Sequence, residues 1–112
     1  MFKRVLAFVA VAYAAASAAW TPESAKAELL RLRKALTARM VAQGKTVDNE
    51  NLLELYALFK QATEGDKPEG LSSGMDPVRY LQYGRWETKA GMPIEEAMIQ
   101  YKAIVKALGD VE

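Results

Sequence analysis

Between Pro22 and Gly109 apolar residues recur every three or four positions in stretch after stretch, and no stretch of useful length shows the alternation that a strand requires. A chain patterned in this way can bury its apolar residues only as helices packed on one another. Punctuation sets their number. Leu29, Leu32, Leu36 and Met40 follow Pro22 with Arg and Lys between them, and Gly44 closes the run. Asp48 is placed to cap a second helix, in which Leu52, Leu55, Tyr56, Phe59 and Ala62 recur until Gly65 takes a left-handed terminating conformation. Asp76-Pro77 opens a third, marked by Val78, Tyr80, Leu81, Tyr83 and Trp86, crossed by Gly84 and ended before Gly91. Pro93 starts a fourth, whose stripe of Ile94, Met98, Tyr101, Val105 and Leu108 ends at Gly109. From Glu64 to Met75 the chain is rich in Gly, Pro, Ser and Asp, with Leu71 and the bounding Met75 its only two apolar residues, which describes a surface loop of a length that often carries function. The expectation is an all-α domain, a small helical bundle without internal repeats, spanning residues 22–109.

The whole chain has 112 residues, room for one small core, and a formal charge of +1 with no Lys/Arg run longer than two. Nothing in that pattern suits neutralising a nucleic-acid backbone, although a phosphate-bearing small ligand needs only a few local cations. There is no cysteine and no histidine. Disulfides, thiol nucleophiles, Ser-His-Asp relays and nearly all zinc or transition-metal sites are thereby removed, so no metal and no catalytic residues are expected. Catalysis would fall to carboxylates, Lys or Tyr. The adjacent pair Glu95-Glu96 sits in the first turn of the fourth helix, where negative charge is favoured electrostatically without any catalytic role.

Residues 1–19 read differently. Lys3-Arg4 precede an uncharged apolar run from Val5, which reaches small residues at Ala16-Ser17-Ala18-Ala19. This is the layout of a secretory signal cleaved after Ala18 or Ala19, and the run is short of the roughly 20 residues of a spanning helix. An Ala-rich extra helix and a signal anchor are the alternatives. Ser-Ala-Ala-Trp-Thr-Pro also resembles the aromatic-after-cleavage motif of bipartite targeting sequences in algae with secondary plastids. Entry to the secretory route (ER lumen or secreted) is expected, with a secondary plastid as an onward destination, and a cytoplasmic location if the segment is no signal. Cleavage would leave 13 basic against 14 acidic residues, a nearly neutral domain.

Tyr56 and Lys60 stand four positions apart in the second helix, so they share one face. Ammonium and phenol together suit a phosphate, with the ring offering a face to a base. From spacing alone, Tyr56 fits the core stripe and Lys60 a solvated edge equally well. The order of motifs goes further. Tyr56, then Phe59-Lys60-Gln61-Ala62-Thr63 and Gly65-Asp66, a Pro/Gly loop, Trp86 shortly before Lys89-Ala90-Gly91-Met92, then Glu95-Glu96-Ala97-Met98 and Tyr101 resemble the acyl-CoA-binding protein family from about Leu32 to Leu108.

That resemblance implies a four-helix up-down-down-up bundle that binds one long-chain fatty acyl-CoA without chemistry on it and without a cofactor. It implies a monomer that carries or pools the ester between acyl-CoA-producing and acyl-CoA-consuming enzymes and meets membranes only transiently. Tyr56 and Lys60 would approach the 3′-phosphate and adenine, with Ala57, Leu58 and Phe59 in the same ligand-lining segment. Tyr101 would meet the nucleotide end, and Arg79 matches a basic position after the loop. A core tyrosine and a solvated arginine are the plainer readings of those two. The family usually has Ala-Lys-Trp where this chain has Leu81-Gln82-Tyr83, so Gln82 replaces a phosphate-facing lysine. An amide donates a hydrogen bond but carries no charge; one lost charge-assisted contact weakens binding by about 1.5 to 3 kcal/mol unless Arg79 or Arg85 reaches the phosphate. A helical protein-interaction module with weakened or lost acyl-CoA binding is the alternative function, and an enzyme acting on acyl-CoA is disfavoured by the missing His and Cys.

Overall fold

A computed structural model describes residues 20–112; residues 1–19, and the signal-sequence expectation that rests on them, lie outside the described residues. Thr21 begins the first helix. Its hydroxyl accepts the Ser24 N–H at 3.0 Å while Ser24 Oγ accepts the Thr21 N–H at 2.9 Å, a reciprocal capping box, and proline follows at the first helical position. Helix α1 runs Pro22–Ala42, α2 Asn49–Glu64, α3 Pro77–Glu87 and α4 Ile94–Gly109, with no strand among the described residues. The all-α four-helix bundle is the fold, and each helix starts within a residue or two of its expected cap. None of the described helices is long and apolar enough to cross a membrane.

The core joins three of them. Ala25, Leu29, Leu32, Leu36 and Met40 of α1 meet Leu55, Leu58 and Ala62 of α2 and Ala97, Met98, Tyr101 and Val105 of α4, all buried. Spacing of three and four places each set on one face, which is why periodicity identified them. Helix α2 packs against the other three, α1 also meets α4, and α3 packs on α2 alone among the described helices. Of the aromatic and aliphatic residues that mark α3, Trp86 alone is buried. Val78, Tyr80 and Leu81 are 59, 70 and 55% exposed, so they are not a core stripe. A helix with one neighbour has only one face to bury.

Polar contacts fix that neighbour. Arg85 spans from α3 to Glu50 at 2.7 Å and Glu54 at 2.8 Å, and Lys89 reaches Glu54 at 2.8 Å. Burial would push the Glu54 carboxyl up, but hydrogen bonds from Lys89 and Arg85 together hold it below its ordinary range. The Trp86 indole N–H donates to the Gly65 carbonyl at 2.9 Å, joining α3 to the end of α2. Buried Gln61 donates to Asp66 Oδ1 at 2.8 Å and to the Met92 carbonyl at 3.1 Å, and Asp66 also accepts the Gly91 N–H at 2.8 Å. The start of the long loop and the end of the α3–α4 connection are thus clamped together. Flipping the Gln61 amide would set its oxygen against two acceptors, so Oε1 stays buried without a partner among the described residues.

Three terminations differ from expectation. Asp48 occupies the cap position of α2, but its carboxylate accepts from the Asn51 side chain at 2.7 Å rather than from a helix N–H. Gly65 has positive φ (79°) with ψ −153°, an extended conformation open essentially to glycine alone, not the left-handed helical one. Gly109 is still helical, and Asp110 takes the left-handed turn at φ 54°, ψ 41°. A Cβ at Gly109 would lie 2.8 Å from Leu36 Cδ1, so this glycine serves the close approach of α4 to α1 instead of ending the helix.

Candidate functional site

Apolar stripes of α1, α2 and α4 meet imperfectly at one end, and α3, resting on α2, extends the wall. The result is a groove of about 370 Å³ lined by residues of all four helices, from Arg33 and Thr37 on α1 to Gln82 on α3 and Tyr101 on α4, with Val47 of the α1–α2 connection. Leu36, Val47, Leu52, Leu55 and Phe59 supply its apolar surface; Thr37, Tyr56, Gln82 and Tyr101 its hydrogen-bonding groups. This mixture suits an amphipathic ligand.

Helix α2 carries most of the site because Leu52, Leu55, Tyr56 and Phe59 follow one another at spacings of three, one and three. Burial pushes the Tyr56 hydroxyl above its ordinary range, with the Lys60 charge pulling the other way. Tyr101 is almost wholly buried and its hydroxyl is likewise pushed up, with Arg33 opposing. Both remain neutral hydrogen-bonding phenols at physiological pH. They are core and groove at once: Tyr101 packs in the core cluster and still lines the groove.

Lys60 is not part of the lining. Its Nζ donates to Glu64 Oε2 at 2.6 Å, which raises the ammonium's affinity for its proton, and stands 5.9 Å from the Tyr56 ring centroid and 5.5 Å from that of Trp86. One partly covered cation is therefore poised beside the Tyr56 end of the groove, held by a carboxylate and two aromatic rings.

Four of the eight residues singled out from the sequence, Tyr56, Phe59, Gln82 and Tyr101, line this groove together. Lys60 adjoins it. Ala57 and Leu58 do not reach it: both have no exposed surface, because positions one and two after Tyr56 turn inward on a helix of 3.6 residues per turn. Arg79 is exposed, lies 3.9 Å from Asp76 in its own first turn, and influences Tyr56 only through its charge. Arg85 is committed to Glu50 and Glu54 and does not line the groove. Sequence reasoning missed Arg33, Thr37 and Val47. Arg33 and Thr37 lie three before and one after Leu36, on the polar edge of the α1 stripe, which is the one signal by which they could have been found.

A second groove of about 690 Å³ flanks the same α2–α3 seam, with Leu53, Leu71, Tyr80, Leu81 and Tyr83 among its lining residues. Leu52 and Leu53, and likewise Gln82 and Leu81, are chain neighbours that face one groove each. Among the described residues no group of three or more Asp and Glu is arranged to hold a metal ion.

Comparison with known proteins places this geometry in a family context. The family model described as Acyl CoA binding protein matches residues 2–105. Acyl-CoA-binding protein homolog of Manduca sexta is 41% identical over 66 residues, 57% of this chain and 73% of that protein. Acyl-CoA-binding protein homolog 1 of Caenorhabditis elegans is 37% identical over 60 residues, 54% of this chain and 70% of that protein. Acyl-CoA-binding protein of Fritillaria agrestis is 36% identical over 64 residues, 57% and 74% of the two chains. No solved structure matches.

Proposed function

From the premise that this chain belongs to the acyl-CoA-binding protein family, we propose that it binds long-chain fatty acyl-CoA esters and carries or pools them without acting on them. The observation that supports this most is the groove in which Tyr56, Gln82, Tyr101 and Arg33 share walls with Leu36, Val47, Leu52, Leu55 and Phe59. Coenzyme A presents phosphates, an adenine and amides; the acyl chain presents only methylenes. The polar set suits the first, and the exposed apolar residues Leu52, Val78 and Leu81 along the α2–α3 seam suit the second. Each methylene buried contributes about 0.8 kcal/mol, so affinity rises with chain length until the seam is filled. Tyr56 offers a ring face to the adenine and Lys60 a cation to the 3′-phosphate, provided Glu64 yields its hold.

In this reading the protein acts as a monomer, shields the thioester from water, and exchanges it with enzymes that make and consume it. Entry to the secretory route through residues 1–19, with residues 22–109 as the working domain, is part of the same proposal. The exposed apolar face of Met75, Val78, Tyr80 and Leu81 favours a second reading, a helical interaction module that has kept the fold.

Calorimetric titration with palmitoyl-CoA, free CoA and palmitate separates them. A carrier binds palmitoyl-CoA tightly and saturably, CoA more weakly and palmitate least; no heat with palmitoyl-CoA at micromolar concentrations rejects the carrier. Within the carrier reading, Lys60→Ala weakens palmitoyl-CoA more than its 3′-dephospho analogue, and equal losses would show that Lys60 does not meet that phosphate.

A further inference from the structure

The groove carries a single charge. Of its described lining residues Arg33 alone is ionised, and the polar groups beside it are neutral. Four other cations near the α2–α3 seam are engaged by carboxylates, Lys60 by Glu64, Arg79 by Asp76, Arg85 by Glu50 and Glu54, and Lys89 by Glu54, while Lys67, which donates to the Pro68 carbonyl, lines the second groove and not this one. Arg33 makes no ion pair among the described residues, and the arginines that do are Arg31, Arg79 and Arg85. A guanidinium left without a carboxylate on a groove wall is a planar fork of N–H donors matched to two oxygens of one phosphate. Hydrogen-bonding groups on α2, α3 and α4 line the same groove. The Thr37 hydroxyl is turned back to the Arg33 carbonyl at 2.9 Å, which leaves Arg33, the Gln82 amide and the two phenols to meet a ligand.

We propose that Arg33 of α1 holds a phosphate of the ligand's nucleotide end and supplies the charge that Gln82, which lines the same groove from α3, lacks. The identity of the ligand as an acyl-CoA rests on the function proposed above; the assignment of Arg33 does not follow from it, since the resemblance carried no contact onto α1. Charge on α1 rather than on α3 has a consequence for order of events. Helix α1 is anchored on α2 and α4, so the phosphate is gripped by the rigid part of the bundle while α3 is free to adjust to the acyl chain.

The test compares wild type, Arg33→Gln and Arg33→Lys by calorimetry at low and high salt, with palmitoyl-CoA and with S-palmitoyl-pantetheine, which has the thioester and chain but no phosphate. Arg33 is exposed on its helix, and unchanged thermal unfolding of both variants establishes that they fold. Arg33→Gln is expected to weaken palmitoyl-CoA about tenfold at low salt and less at high salt, Arg33→Lys to recover most of the loss, and neither to change S-palmitoyl-pantetheine. Palmitoyl-CoA binding by Arg33→Gln equal to wild type overturns the assignment and leaves the carrier reading intact. An equal loss for both ligands also overturns it, because it shows Arg33 supporting the groove instead of a phosphate. A wild type that does not bind palmitoyl-CoA removes the carrier reading and the assignment with it.

Discussion

Gly84 and Gly109 are both helical glycines with ordinary negative φ, and their surroundings give the same substitution opposite signs. Nothing stands within 4 Å of a Cβ at Gly84, so Gly84→Ala should stabilise the fold by about 0.5 to 1 kcal/mol through the lower entropy of the unfolded chain. At Gly109 the added methyl would press on Leu36 Cδ1 at 2.8 Å and on the stem of Arg39. Leu36 is buried in the core and has little room to turn, so Gly109→Ala should destabilise by about 1 to 2 kcal/mol. Urea unfolding of the two variants checks both signs, and a stabilised Gly109→Ala would show that Leu36 can yield to the added methyl without cost. The same distinction governs the site: Tyr56 and Phe59 reach the groove while Ala57 and Leu58, between them in sequence, do not.

At the scale of the element, α3 is the helix whose attachment depends most on charge. Glu54 receives both Arg85 and Lys89 from beyond α2, and its carboxyl is held below its ordinary value of 4.5 in the folded state. A group whose folded affinity for a proton is depressed contributes stability above its unfolded value and loses it as pH falls through the folded one. Glu54→Gln should therefore be less stable than wild type at pH 7, by under about 1 kcal/mol because the pair is partly solvated, and the difference should shrink as pH falls below the ordinary value of 4.5. Urea unfolding across a series of pH values from 7 downward measures it; a gap that does not change with pH would mean that packing, not charge, is what the glutamate contributes.

For the whole molecule, contacts are unevenly distributed. Helices α1, α2 and α4 share one core, whereas α3 rests on α2 and inserts only Trp86. Amide hydrogens of α3 should accordingly exchange through smaller openings, well ahead of those of α4, and under the proposed function palmitoyl-CoA should slow them selectively. Native-state hydrogen exchange followed residue by residue decides this, and uniform protection of all four helices would contradict it.

Periodicity and punctuation determined the number, order and approximate limits of the helices, because the spacing of apolar residues is a local property and each Pro or Asp start acts on the chain beside it. They also determined that Tyr56 and Lys60 share a face, since four residues make about one turn. Ordered motifs, not spacing, drew attention to Gln82 and Tyr101. What no local pattern contained was which faces would meet. Tertiary packing decided that Trp86 would cover Lys60, that Arg85 would be spent on α2 carboxylates, that Gly109 would be a contact and not a stop, and that Arg33 would be the one charge in the groove among the described residues. The Glu64 and Tyr56 contacts of Lys60 are one helical turn away, but its Trp86 contact and the other outcomes depend on residues far apart in sequence arriving within a few ångströms of one another, and only the folded chain brings them there.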